Sequence, residues 1–344
     1  MTTLYIIGNG FDCFHGLPTN YSDYRSFLLR EYPYLAKAYE ELTRLASGIN
    51  EESSWSDVES ALELDYEDFL EYALQSYPLN LARGDSAWHD ASVFISDMIG
   101  FIEDFTGIYF YAWLNSVELD LAINEVIFKP DARFVTFNYT ETLECKYKIN
   151  QSNILYVHGE RKNISEEMLD PINNILKYVD SSSNNYEEIE KQALMQRSSA
   201  LKLDRKIQFG SPCNDPKIVR DVLVKKYNSD DYFGAWIEPC IWEIEKYCKF
   251  ASKNLKSNYL VLDSFVDSET FDEICVFGHS FDGVDKPYYE EILIPRFRNK
   301  HWLFVMYNEQ EDELRVKSFC SENRIEDFDS VYDKDLFLLD LRGC

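Results

Sequence analysis

The sequence predicts an α/β fold: a mostly parallel, Rossmann-type sheet with helices on both faces and large helical insertions. Three observations predict it. The chain starts on a short apolar run, Leu4-Tyr-Ile-Ile7, that ends in Gly8-x-Gly10, as a buried strand feeding a tight turn does. Similar apolar runs recur along the chain, separated by stretches of helical period, the alternation that builds parallel sheets through right-handed crossovers. Polar residues unusual for strands gather just past these runs, where open α/β sheets bind their ligands.

The elements follow in order. Residues 3–8 form the first predicted strand, and Thr19 to Tyr34 the next helix, capped by Thr19 or Ser22, with Tyr24, Phe27, Leu28 and Glu31 at helical spacing. Residues 35–128 read as a helical insertion. In it, Ser56-Asp-Val-Glu59 is a capping box, and Val58, Leu62, Phe69, Leu70 and Ala73 follow on one side. Residues 86–128 add a second amphipathic pattern whose Phe, Ile, Tyr and Trp side chains suit a core. Strand character returns at Arg133–Phe137, before a helix with Thr140 as its expected cap. Ile154–Val157 is the next strand and ends at His158-Gly159. Residues 160–256 read as a second insertion, irregular to about 230, with Ser181–Asn185 as a loop, and helical from 232. Phe271–Phe277 is a strand that delivers Gly278-His-Ser280. A helix over about 287–298, a strand at Trp302–Met306, a helix around 310–323 and an apolar Leu336–Leu339 close the chain. Residues 1–344 are read as one elaborated domain.

Composition narrows the function. The chain is 45% hydrophobic and 15% aromatic, values of a folded globular protein. Its 34 basic and 61 acidic residues leave a formal net charge of −27. Such a chain repels nucleic acid unless Lys and Arg are locally concentrated, and no basic block exceeds the pair Lys225-Lys226. Nucleic acid is therefore not an expected partner. No apolar run reaches the length of a bilayer span and no leader pattern is visible, so a cytoplasmic protein without membrane contact is expected. The 8 cysteines lack Cys-x-x-Cys pairing, which argues for reduced thiols and against a structural metal.

The strand ends carry the candidate chemistry. Gly8, Asn9 and Gly10 suit a phosphate approached by backbone N–H groups. Asp12 suits ribose hydroxyls, or caps the first helix. Asn138 is either a turn residue or an amide that orients a water or a ribose hydroxyl. His158 is the candidate general base, with a hydrogen-bonded structural histidine as the alternative. Gly278, His279 and Ser280 close the set. His15 reads as structural, and His89 and His301 have no assigned role.

Together these motifs resemble a family. Gly8-Asn-Gly-Phe-Asp12, His15-Gly-Leu-Pro-Thr19 with Tyr21, Phe137-Asn-Tyr-Thr140 with Leu143-Glu144, Val157-His-Gly159, and Phe277-Gly-His-Ser280 with Asp285 and Tyr288 resemble the phage abortive-infection AbiH family from end to end. That family in turn is similar to sirtuin-like NAD-consuming domains. Gly8, Gly10 and Gly16-Leu-Pro18 match the spacing of the sirtuin start, Thr136-x-Asn138 its Thr-x-Asn, His158-Gly159 its catalytic His-Gly, and Gly278-x-Ser280 its late Gly-x-Ser. Thr19-Asn-Tyr21 stands where sirtuins carry Asp-Phe-Arg, and the paired cysteines of their zinc module are absent, which argues against protein deacylation.

The resemblance implies a phage-defence effector that hydrolyses the N-glycosidic bond of NAD without a metal. Asn138 and His158 would be catalytic. Gly8, Asn9, Gly10, Asp12, Gly278, His279, Ser280 and Asp285 would bind NAD or a related adenine nucleotide. The competing reading is a non-catalytic nucleotide sensor or scaffold. A nuclease would need a carboxylate cluster or a basic groove, and neither is legible. A phage protein as trigger and a second copy of the chain remain open as partners. Asn138 and His158 are expected at exposed strand ends, contributing little to the core.

Overall fold

The computed structural model describes residues 2–47, 55, 58–62, 65–78, 89–161, 215–228, 236–251, 255–281, 283–307 and 311–332. The predicted capping box at Ser56-Asp57, the Ser181–Asn185 loop and the Leu336–Leu339 run lie outside them.

Among the described residues six strands form one sheet: β1 (Thr3–Ile7), β2 (Arg133–Thr136), β3 (Ile154–Tyr156), β4 (Glu273–Phe277), β5 (His301–Met306) and β6 (Phe328–Tyr332). Every pairing is parallel, and the order is β3-β2-β1-β4-β5-β6. This is the doubly wound order of Rossmann-type folds. The chain builds outward from β1 through β2 to β3, then returns to the other side of β1 and builds outward through β4. The order reverses between β1 and β4, so a crevice opens above their carboxyl ends.

Register explains why the motifs meet. Ile7 pairs with Thr136 and with Phe277, and Thr136 pairs with Tyr156. Two residues beyond that row stand Asn9, Asn138, His279 and His158. Four motifs far apart in sequence thus leave the sheet at one level.

The helices are α1 (Asn9–Phe14), α2 (Tyr21–Glu31), α3 (Pro33–Ser47), α4 (Val58–Ala61), α5 (Tyr66–Ser76), α6 (Asp90–Thr106), α7 (Ile108–Ser116), α8 (Thr142–Tyr147), α9 (Pro216–Tyr227), α10 (Glu238–Ala251) and α11 (Leu255–Asp267). Then come α12, which runs from Lys286–Tyr288 through a π turn at Tyr289–Leu293 into Ile294–Phe297, and α13 (Glu311–Asn323). None of them is long and apolar enough to cross a membrane.

Both sheet faces are covered. Leu4, Ile6, Val135, Val276, Trp302 and Phe304 pack on residues of α11, α12 and α13. The alternate residues Tyr5, Ile7, Phe134, Cys275 and Leu303 pack on Phe11, Phe14 and Leu143 of the other layer. This is the period-2 division of a strand buried on two sides. At the amino ends of the strands, Lys129 Nζ sits 2.9 Å from Glu273 Oε1. Thr3 donates to the same oxygen, which helps satisfy a buried pair that would otherwise be costly.

A third core is wholly helical. It joins α2–α7 to α9 and α10, with Tyr39 stacked on Phe105 at 4.3 Å. The two predicted insertions therefore share one interior. Tyr247 of α10 donates to the Leu62 carbonyl at 2.7 Å, and Lys226 of α9 reaches Glu67 of α5 at 2.7 Å.

Several local expectations change. The helix read at Thr19–Tyr34 is Tyr21–Glu31, and its cap is Asn20, whose N–H donates to Asp23 at 3.0 Å. Val58 to Ala73 is not one helix: Asp65 interrupts it and caps α5 through the N–H groups of Glu67 and Asp68. Within 160–230, read as irregular, Asp215 caps α9 with Pro216 at its first turn, a strong start signal. β6 was not expected. Its Phe-Asp-Ser-Val-Tyr lies at the sheet edge and is half polar, so it lacks the apolar run of a central strand.

Candidate active site

At the carboxyl ends of β1–β4 lies a cavity of ≈ 530 Å³, lined by Gly8, Asn9, Asp12, Asn138, His158, Gly278, His279, Ser280 and Asp285 among others. Of the ten residues singled out in the sequence, only Gly10 is not in this wall. It lines an adjoining pocket of ≈ 160 Å³ that shares Gly278, His279, Ser280 and Arg315 with the first.

The glycines act mainly on each other. A Cβ on Gly8 would lie 2.5 Å from the Gly278 carbonyl oxygen, and one on Gly10 2.7 Å from the Gly278 Cα. Gly278 itself takes φ +66, and its Cβ would meet the Phe11 nitrogen at 2.3 Å. The loops after β1 and β4 touch backbone to backbone, which only glycine permits. Two of the N–H groups expected at a phosphate are bonded within the protein. Gly8 N–H donates to the Phe277 carbonyl at 3.0 Å, Gly10 N–H to the Gly278 carbonyl at 2.9 Å, and Phe11 N–H to the Gly8 carbonyl at 2.9 Å. These donors are already used inside the protein. Asn9 is exposed and donates through Nδ2 to Asn20 Oδ1 at 3.2 Å.

Asp12 faces the cavity from α1 and is 1% exposed. Thr142 donates to its Oδ1 at 2.7 Å, and Thr140 to its Oδ2. Thr140 therefore does not cap α8 as expected; its hydroxyl is spent on Asp12. Burial pushes the Asp12 carboxyl up to about 6, opposed by the Thr140 and Thr142 hydroxyls. Asn138 also lies close enough to favour the charged form of Asp12, yet its Oδ1 and Nδ2 are buried and neither makes a hydrogen bond of normal geometry.

His158 and His279 flank one carboxylate. His158 Nε2 donates to Asp285 Oδ1 at 2.8 Å, since a carboxylate only accepts. His279 Nδ1 accepts from the Phe281 N–H at 2.9 Å and the Tyr289 hydroxyl at 3.1 Å. Its Nε2 therefore carries the proton and lies 3.4 Å from Asp285 Oδ2. Phe137 packs on both rings, at 5.4 Å from His158 and 4.3 Å from His279. His158 and Asn138 are only 2% and 6% exposed. Both are thus more buried than the sequence suggested, because the helical layer roofs the strand ends.

His15 is structural by geometry. It donates from Nδ1 to the Phe11 carbonyl at 2.6 Å and meets the Tyr147 hydroxyl at 2.5 Å through Nε2. Burial lowers its pKa to about 4, so it stays neutral. Among the described residues, no three His, Cys, Asp or Glu side chains form a metal-binding group; each Asp285 oxygen serves a different ring.

Other wall residues had no functional signal in the sequence. Glu59 reads as a capping glutamate, but its carboxylate enters the cavity wall beside Tyr21 and Tyr139. Arg315 sits on a charged helix face like any solvated one, yet it lines both pockets.

The model of the family described as Bacteriophage abortive infection AbiH matches residues 4–307, a span that includes every strand end of the cavity. This chain belongs to the AbiH family. Membership places it in bacteriophage abortive infection. No curated protein matches this AbiH chain, and no solved structure does.

Proposed function

We propose that this AbiH cleft binds an adenine nucleotide and hydrolyses the N-glycosidic bond of NAD during abortive infection. One observation carries the reading. Asn138, with a buried amide lacking normal hydrogen bonds, stands in the same wall as an imidazole held by a carboxylate. A buried amide short of well-formed hydrogen bonds costs up to about 1–3 kcal/mol. A ribose hydroxyl or a bound water would supply those bonds.

The chemistry asks little of a general acid. As the C1′–N bond breaks, its electron pair returns to the cationic ring nitrogen, and neutral nicotinamide leaves. The ribose carbon then carries oxocarbenium character, a water adds to it, and that water loses a proton. Asn138 orients the water or a ribose hydroxyl. His158 takes the proton on Nδ1, because Nε2–H is committed to Asp285. Asp285 thus positions the base rather than holding the nucleotide. Asp12 accepts from ribose hydroxyls. Asn9, Gly278, His279 and Ser280 border the adenosine half, and no metal enters the scheme.

A second reading, a nucleotide sensor that signals without cleavage, is favoured by the committed amides of the glycine turn. Purified protein incubated with NAD should release nicotinamide, and NAD should fall in infected cells as they die. Constant NAD in cells that die on infection would overturn the hydrolase and leave the sensor.

A further inference from the structure

Beside His158 the cavity wall changes character. Glu59 on α4 is 5% exposed, and its Oε1 accepts from the Tyr21 hydroxyl at 3.0 Å and the Tyr139 hydroxyl at 2.9 Å. Burial, followed by the Glu59 charge, raises the Tyr139 pKa well above its ordinary value, so that phenol stays a donor. The Tyr139 ring meets Phe110 edge-on at 5.2 Å, and Phe110 lies 5.4 Å from Trp113. All five side chains line the cavity, and the Tyr139 ring is 6.3 Å from the His158 imidazole. Glu59, Phe110 and Trp113 come from the helical layer, not from the sheet.

A carboxylate among aromatic faces favours one kind of guest. Ring quadrupoles attract a cation over their faces, flat rings pack on flat rings, and a buried negative charge is stabilised by a positive partner. We infer that this box is a subsite for a planar cationic ring, built by the helical layer. The inference rests on the nucleotide reading, under which the ring is the pyridinium of NAD and the box seats it next to the base. Cleavage turns that ring neutral. The box therefore holds the substrate more tightly than the product and sets specificity for the oxidised dinucleotide, and it does not accelerate a step in which the ring loses its charge.

Calorimetry tests this with carbocyclic NAD, which lacks the scissile glycosidic bond. Wild-type protein should bind its oxidised form roughly tenfold more tightly than its reduced, uncharged form. ADP-ribose, which has no such ring, serves as the reference. Glu59→Gln should erase the oxidised-over-reduced preference and leave ADP-ribose affinity unchanged; Tyr21→Phe should reduce the preference if the first variant does not fold. Equal affinity of the wild type for the two redox forms would overturn the box while leaving the nucleotide reading intact. If neither dinucleotide nor ADP-ribose binds, the nucleotide reading fails, and the 1-methylnicotinamide cation decides the box by itself. Ligand-observed NMR contacts from that cation, and none from neutral nicotinamide, would support it; no contacts from either would overturn it.

Discussion

Asp12 shows what burial does to a single side chain. The folded chain raises its pKa from 3.8 to about 6, so the native state holds this proton more tightly than the unfolded one. The resulting stabilisation is present below about pH 4 and is lost as pH rises through 6. Two units correspond to up to about 3 kcal/mol. The Asp12→Asn variant should therefore gain on the wild type by up to that amount between pH 4 and 7, read from urea melts; a constant difference would mean that burial does not control this group. His158 and Asn138 differ in their expected cost to the fold. Asn138→Ala removes an amide without normal hydrogen bonds, so its Tm should hold or rise. His158→Ala leaves a cavity and strips Asp285 of its closer partner, for about 1–3 kcal/mol. Each should lower nicotinamide release by about 10²–10⁴. Retained release with His158→Ala would remove the imidazole from the mechanism.

At the scale of elements, the contact between the β1 and β4 loops governs the site. Gly278→Ala would demand φ +66 of an alanine and press its Cβ on the Phe11 nitrogen. The expected loss is about 2–4 kcal/mol of stability, measured by denaturant midpoint. A turn made glycine-rich only for phosphate would instead lose binding and keep its stability. The helical layer acts on the site in the same way. α4 and α7 bring Glu59, Phe110 and Trp113 to the cavity, so residues with no functional signal in the sequence complete its wall.

For the whole molecule, charge and topology set separate limits. A net charge of −27 predicts weak binding to duplex DNA that falls steeply with added salt. Fluorescence anisotropy from 50 mM to 200 mM salt checks this, and tight, salt-resistant binding would reveal a basic surface assembled from scattered residues. Topology places the ligand. With β1 and β4 adjacent and the order reversing between them, the crevice falls where four strand ends meet.

Much of this was legible without coordinates. Apolar runs followed by glycine or polar residues marked β1–β5 and eight residues that line the cavity, because buried parallel strands and their carboxyl ends have a local signature, while Asp285 came only from the family resemblance. Local pattern also marked helices α4–α7 within residues 35–128. It could not show that two segments separated by strands share one core, because that depends on which apolar faces meet in space. Nor could it show that Glu59 turns its carboxylate from α4 into the cavity wall, that Asp285 holds His158, or that Gly10 spends its N–H on Gly278. Those facts belong to contacts between residues far apart in the chain, and only the folded sheet and its helical roof bring them together.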